Sequence, residues 1–222
     1  MPVPPTPLVG REDEVAAAHG LLLEPSTRLL TLTGPGGVGK TRLALRVAAD
    51  LRDAGVFDDG VAFVALEAIR EPDLVPAAIG RALGVAGAAG RSAVERLTDA
   101  LRDRRALLVL DNVEQVAEAA PLLARLLAAT TGLKVLVTSR AVLHLAAEHE
   151  LPVPPLRTAD PTRLPPLVEL AGVEAVALFV GRARAVAPTF ALTAENAGAV
   201  AANCRRRLPA HGSPGWRKGC RL

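Results

Sequence analysis

Leu29-Leu-Thr-Leu-Thr-Gly-Pro-Gly-Gly-Val-Gly-Lys-Thr41 is the stretch whose reading decides the fold of this chain. Leu29 to Thr33 is a short apolar run of the kind that forms a buried strand. Beyond Thr41 a helical period takes over and runs to about Arg52, with Leu43, Val47 and Leu51 on one face. Between strand and helix lie Gly34, Pro35, Gly36, Gly37, Val38 and Gly39, the Gly-x-x-x-x-Gly-Lys-Thr spacing of a phosphate-binding loop. Each residue type has a reason. The glycines allow backbone conformations that turn successive N–H groups toward an anion. The helix starting near Lys40 adds its dipole and its free amides. The Lys40 ammonium is expected to reach the β- and γ-phosphate oxygens, and the Thr41 hydroxyl to ligand Mg2+. Arg42, next in the same helical turn, joins the candidate nucleotide-binding residues.

Two further strand ends complete the chemistry. Ala106-Leu-Leu-Val-Leu110 is an apolar run that ends in Asp111, 71 residues after Lys40. Such runs suit strands buried on both faces. A carboxylate there, paired with the loop, is placed to hold the Mg2+ shell, with a turn Asp after a core strand as the alternative. The following residue is Asn112, which cannot act as a general base, so Glu114 is the nearest carboxylate for orienting an attacking water. Its alternative is a solvated acid at a helix start. Lys134-Val-Leu-Val-Thr-Ser-Arg140 is the next strand, and Arg140 at its end is a candidate γ-phosphate contact or else a surface arginine. Lys40, Asp111, Glu114 and Arg140 are therefore the candidate catalytic residues, and Thr41 and Asp111 the candidate metal ligands. His19, His144, His149 and His211 show no ligand spacing.

Composition fits a folded α/β chain. Half of the 222 residues are hydrophobic and 22% are charged, which excludes global disorder. No apolar run reaches the ~18 residues of a membrane helix, and the Pro-rich start lacks the pattern of a secretory signal. The cytoplasm is the default expectation, with no membrane contact. The net charge of +3 is uneven, because residues 205–222 hold six basic residues and no acidic one. The rest of the chain is slightly acidic and offers no basic face for nucleic acid, so direct DNA contact by this chain is not expected. Cys204 and Cys220 form neither a disulfide framework nor a metal cluster.

Strand and helix patterns alternate along the chain. Helices are predicted at 12–23, 73–83, 92–104, 115–129 (with Pro121 starting or kinking a segment), 173–187 and 193–206. Strands are predicted at 61–66 and 149–153 besides those above. This alternation calls for a parallel sheet covered by helices, the α/β class.

The segments Leu8-Val-Gly-Arg-Glu12, Leu30 to Thr41, Leu107 to Glu114, Lys134 to Arg140, Leu151-Pro-Val-Pro-Pro-Leu156 and Glu174-Ala-Val-Ala-Leu-Phe179 resemble the nucleotide-binding module of the STAND ATPases, also called NB-ARC or AP-ATPases. The likeness is to the bacterial branch found in LuxR- and SARP-type transcriptional regulators, and it covers about residues 8–204. It implies a P-loop NTPase fold of the ASCE, AAA+-like class: a five-stranded parallel sheet followed by the start of a small helical domain. The Asp111 and Arg140 strands would lie beside the P-loop strand. The resemblance further implies that Val9, Gly10 and Arg11 lie against the adenine, that Arg140 is the sensor arginine, and that ATP and ADP with Mg2+ are the ligands. The implied function is a molecular switch in signal transduction with slow ATP hydrolysis, and the implied partners are nucleotide, a second copy of itself or a regulatory protein. The expected organisation is an extended lead-in over 1–11, the P-loop domain over 12–156, a Pro-rich linker over 157–171, a partial helical domain over 172–206 and an atypical basic tail over 207–222. The tail departs from the family pattern after Cys204-Arg-Arg and reads as an out-of-frame or truncated end, or as a short basic tail in its own right. The alternatives to the switch are a fragment of a DNA-binding transcriptional regulator and a truncated fragment without activity.

Overall fold

The computed structural model describes residues 1–85 and 91–207. The loose stretch Ala86-Gly-Ala-Ala-Gly90, between the helices predicted at 73–83 and 92–104, and the tail from residue 208 lie outside the described residues. The chain divides into two compact units. The first holds Met1–Gly34 and Gly39–Val153, and the second holds Pro35–Val38 and the chain from Pro154.

The first unit is a parallel α/β sheet. Its strands are β1 (Leu29–Thr33), β2 (Val61–Ala65), β3 (Leu107–Asp111), β4 (Lys134–Thr138) and β5 (Glu148–Pro152). Their order is β2-β3-β4-β1-β5, with every neighbouring pair parallel. Every residue of β1 and β3 is buried, as strands rich in Leu and Val are when helices cover both faces, and the polar Thr31, Thr33 and Asp111 are buried with them. The edge strands β2 and β5 alternate or lie half exposed. The helices of this unit are α1 (Glu12–Leu23), α2 (Lys40–Asp53), α3 (Val75–Ala82), α4 (Ala93–Leu101) and α5 (Ala120–Ala129). α2 turns Leu43, Val47 and Leu51 inward, the face its period predicts. α4 starts on a capping box, with the Ser92 hydroxyl accepting from the Glu95 N–H while the Glu95 carboxylate accepts from the Ser92 N–H.

Three expectations need correction. β4 lies between β1 and β3, so of the two strands expected beside the P-loop strand the Arg140 strand adjoins it and the Asp111 strand is one place removed; β5 is its other neighbour. Strand neighbours follow from crossover topology, which the local pattern does not encode. The stretch 115–129 is not one helix. A 3-10 segment over Val113–Ala119 breaks at Val116 (φ −137°, ψ 44°), and α5 then starts with Pro121 in its first turn, where a missing N–H costs nothing. The span read as linker ends in a helix, α6 (Leu167–Gly172), whose Leu170 is fully buried.

The second unit holds α6, α7 (Glu174–Val186) and α8 (Ala197–Arg207). Its core is small and made largely of short side chains, Ala159, Ala175, Ala197 and Ala201, around Leu170, Val176, Val200 and Cys204. Phe179 and Phe190 pack beside it edge to face, with ring centroids 6.0 Å apart. Thr193 and Asn196 exchange backbone-to-side-chain hydrogen bonds ahead of α8, so the helix starts four residues later than its pattern suggests. Among the described residues no helix is long and apolar enough to cross a membrane.

Candidate functional site

Parallel packing brings the carboxyl ends of β1, β3 and β4 to one side of the sheet, with Leu32 in register with Thr138 and Leu110 with Val137. In open α/β sheets this is where ligands bind. β1 ends at Thr33, and the chain then takes positive φ at Gly34 (143°), Gly37 (87°) and Gly39 (100°). A methyl group added at Gly39 would meet nothing within 4 Å, so glycine is needed there for its backbone conformation and not for want of space. Gly39 is the N-cap of α2, which presents the helix amides directly after the loop.

Lys40 opens α2 and is 7% exposed. Its ammonium donates to the Gly34 carbonyl at 2.7 Å, across the base of the loop. Burial holds its pKa below the ordinary lysine value; the fields of Glu114 and Asp111 oppose that shift, and Arg140 adds to it. Thr41 Oγ1 donates to Asp111 Oδ1 at 2.7 Å, joining the two candidate metal ligands from α2 and β3. Thr138 Oγ1 donates to the same carboxylate oxygen at 2.6 Å and accepts the Asn112 N–H at 2.9 Å. Asn112 sits in the left-handed region (φ 61°), which asparagine tolerates better than most residues. Thr138 and the turn at Asn112 thus hold a carboxylate that is 6% exposed.

Glu114 is turned inward instead of standing at a solvated helix start. Its side chain is 19% exposed, and its Oε1 lies 3.3 Å from Arg140 Nε. Its other oxygen is buried and has no hydrogen-bond partner among the described residues. A buried carboxylate oxygen left so is costly and marks a place for a donor. Arg140 keeps 57% of its side chain exposed.

The lead-in lies against the same helix. Gly10 and Arg11 both adopt left-handed conformations (φ 66° and 78°), and Arg11 is 4% exposed with its guanidinium 2.7 Å from Glu14 Oε1. A left-handed arginine is uncommon, and strain of this kind gathers at functional segments. Val9 is half-buried. Arg42 turns its guanidinium to this segment, donating to Thr6 Oγ1 at 2.9 Å, to the Thr6 carbonyl and to the Pro7 carbonyl at 2.8 Å.

The donor set suits a polyphosphate with a hard cation: amides and an ammonium for the phosphates, a hydroxyl and a carboxylate for the metal. Among the described residues no group of three or more His, Cys, Asp or Glu could hold a metal ion. A cation at Thr41 and Asp111 would complete its shell with water and phosphate oxygens, as Mg2+ commonly does. Sequence reasoning gave no role to Thr138, Thr6 or Pro7. Thr138 was visible only as the penultimate polar residue before Arg140, and its partners come from another strand.

The NB-ARC domain family model matches residues 11–152. The chain belongs to the NB-ARC family. NB-ARC here spans the sheet, the loop, Asp111 and Arg140. An HTH-type transcriptional regulator by name, Rv0890c of Mycobacterium tuberculosis, is 41% identical over 180 residues, which is 81% of this chain but 18% of that protein. The regulatory protein AfsR of Streptomyces griseus is 38% identical over 146 residues, 61% of this chain and 14% of AfsR. The NB-ARC chain thus spans under a fifth of the length of these relatives. Among solved structures, the Aeropyrum pernix ORC2 protein, determined as ADPNP-ADP complexes, superposes with a TM-score of 0.54 at 15% identity, covering 90% of this chain and 69% of that one. That likeness is one of fold, a P-loop ATPase sheet flanked by helices.

Proposed function

We propose that this chain is the nucleotide-binding switch module of a regulatory ATPase, taking ADP and ATP with Mg2+ at the loop Gly34–Thr41. One observation carries the reading: Thr41 and Asp111, 70 residues apart, meet at 2.7 Å beside a buried lysine at the head of α2. A bound Mg2+ would supply neutralisation of phosphate charge. Thr41 and Asp111 would hold it, with Thr138 orienting the carboxylate. The loop amides and Lys40 would bind the phosphates. Val9, Gly10 and Arg11 would lie toward the base. Arg140, half exposed and paired with Glu114, would exchange that partner for a γ-phosphate, which gives ATP and ADP different contacts. A switch requires such differential affinity. Hydrolysis would be slow, because Asn112 offers no base after Asp111 and Glu114 is engaged by Arg140.

In a longer protein, such as the relatives named as transcriptional regulators, self-association or a regulatory partner would read the state of such a module. The described part of this chain would act there through nucleotide and not through DNA, in the cytoplasm. Titration calorimetry with Mg-ADP and Mg-ATP tests the reading. Binding in the micromolar range is expected, about −8 kcal/mol, and Lys40→Ala should lose it. Equal affinity in wild type and variant would overturn the site assignment, as would a DNA shift at physiological salt with no nucleotide bound.

A further inference from the structure

Arg42 is the third residue of α2, directly after Thr41, yet its guanidinium leaves the phosphate loop. It makes three hydrogen bonds, all to two consecutive residues of the lead-in: the Thr6 hydroxyl, the Thr6 carbonyl and the Pro7 carbonyl. Thr6 and Pro7 are exposed and belong to no helix or strand. The lead-in carries Pro2, Pro4, Pro5 and Pro7, residues that offer carbonyls but no N–H, so it cannot be held by a donor-and-acceptor ladder. A planar cation with several fixed donors is the side chain that can hold such a segment, and a lysine, with one compact ammonium, is a poor substitute. The next four residues, Leu8 to Arg11, contain the left-handed pair Gly10-Arg11 and enter α1, which packs on α2. The segment is therefore fixed at both ends, by Arg42 before it and by α1 after it.

We propose that Arg42 is a positioning residue that registers the lead-in Leu8–Arg11 to the phosphate-binding turn of α2, so that the site is preorganised for a nucleoside di- or triphosphate and not for a bare polyphosphate. The inference rests on the nucleotide reading above. Arg42 touches no phosphate in this role; it fixes where the segment that meets the nucleoside begins. Preorganisation of this kind raises affinity by removing ordering costs from the binding step.

The test compares wild type, Arg42→Ala, Arg42→Lys and a chain lacking residues 1–7, using ADP and inorganic tripolyphosphate, each with Mg2+, and hydrogen exchange of the free protein. Arg42→Ala is expected to weaken ADP about tenfold while tripolyphosphate changes less than about twofold, and Arg42→Lys should restore little of the difference. Exchange at residues 8–11 should accelerate in Arg42→Ala without any ligand. In the shortened chain the Arg42→Ala change should have no further effect on ADP, because its partners are gone. Equal weakening of both ligands would mean that Arg42 contacts phosphate itself and would overturn the proposal, as would unchanged exchange at residues 8–11. If wild type binds neither ligand while exchange still responds, the staple stands as a contact but the nucleotide reading fails and takes this role with it.

Discussion

The two ends of the central strands use cations in opposite ways. At the amino ends of β1 and β4, Arg28 donates to the Leu133 carbonyl at 2.6 Å and to the Thr130 carbonyl and hydroxyl at 3.0 and 3.1 Å, and Lys134 donates to the Glu24 carbonyl at 2.5 Å. The Thr130 and Glu24 carbonyls stand at the C-caps of α5 and α1, where helices leave main-chain oxygens without intrahelical partners, and the Leu133 carbonyl lies just before β4. At the carboxyl ends, Lys40 and Arg140 lie near Asp111 and Glu114, whose buried Oε2 has no hydrogen-bond partner among the described residues. One end is closed by bonds that fix the fold. The other gathers charge of both signs at the head of α2. Residue type does not separate the two roles; the fixed or replaceable character of the acceptors does.

The contrast can be broken by mutation. The largest effect belongs to the site end: Lys40→Ala should weaken Mg-ADP by at least roughly 100-fold, to the loss of a calorimetric signal, as charge-assisted bonds go, with the urea midpoint little changed. A large loss of stability there would erase the distinction. Next is Arg28→Ala, which should lower the unfolding free energy in urea by ~2 kcal/mol, since it strands main-chain carbonyls, and leave ADP affinity as in wild type. Thr138→Val sits between the two classes. Removing a fully buried hydroxyl should cost ~1 kcal/mol of stability and weaken Mg-ADP a few-fold, but leave ADP without metal unaffected. The smallest effect is on pH dependence. Burial, then the charge of Arg28, pushes the Lys134 pKa below its ordinary value of 10.5. The unfolded chain then binds more protons than the folded one just below pH 10.5, so stability rises with pH through that window. Lys134→Met should flatten this rise in urea titrations across the alkaline range; an unchanged slope would remove Lys134 from the account.

Much of this was open to reading in the sequence. The unbroken apolar run Ala106–Leu110 announces the two-sided burial of β3, and Leu43, Val47 and Leu51 announce the inner face of α2, because both signals are local patterns. The loop glycines and Lys40 were legible for the same reason. The inward turn of Glu114 was not, because the break at Val116 and the pairing with Arg140 are set by packing between distant elements. α6 lacked a period long enough to stand out from its Pro-rich flank. Arg42 looked like one more phosphate-side residue, since nothing in its neighbourhood says that Thr6 and Pro7 return to it.

By itself the sequence determined the class of the sheet and the phosphate loop, because backbone freedom, helix starts and burial on two faces are written in neighbouring residues. Only the tertiary structure decided that β4 separates the Asp111 strand from the P-loop strand, that Thr138 holds Asp111, and that Arg42 holds the lead-in. Those contacts join residues tens of positions apart, and only the folded chain brings their donors and acceptors within reach.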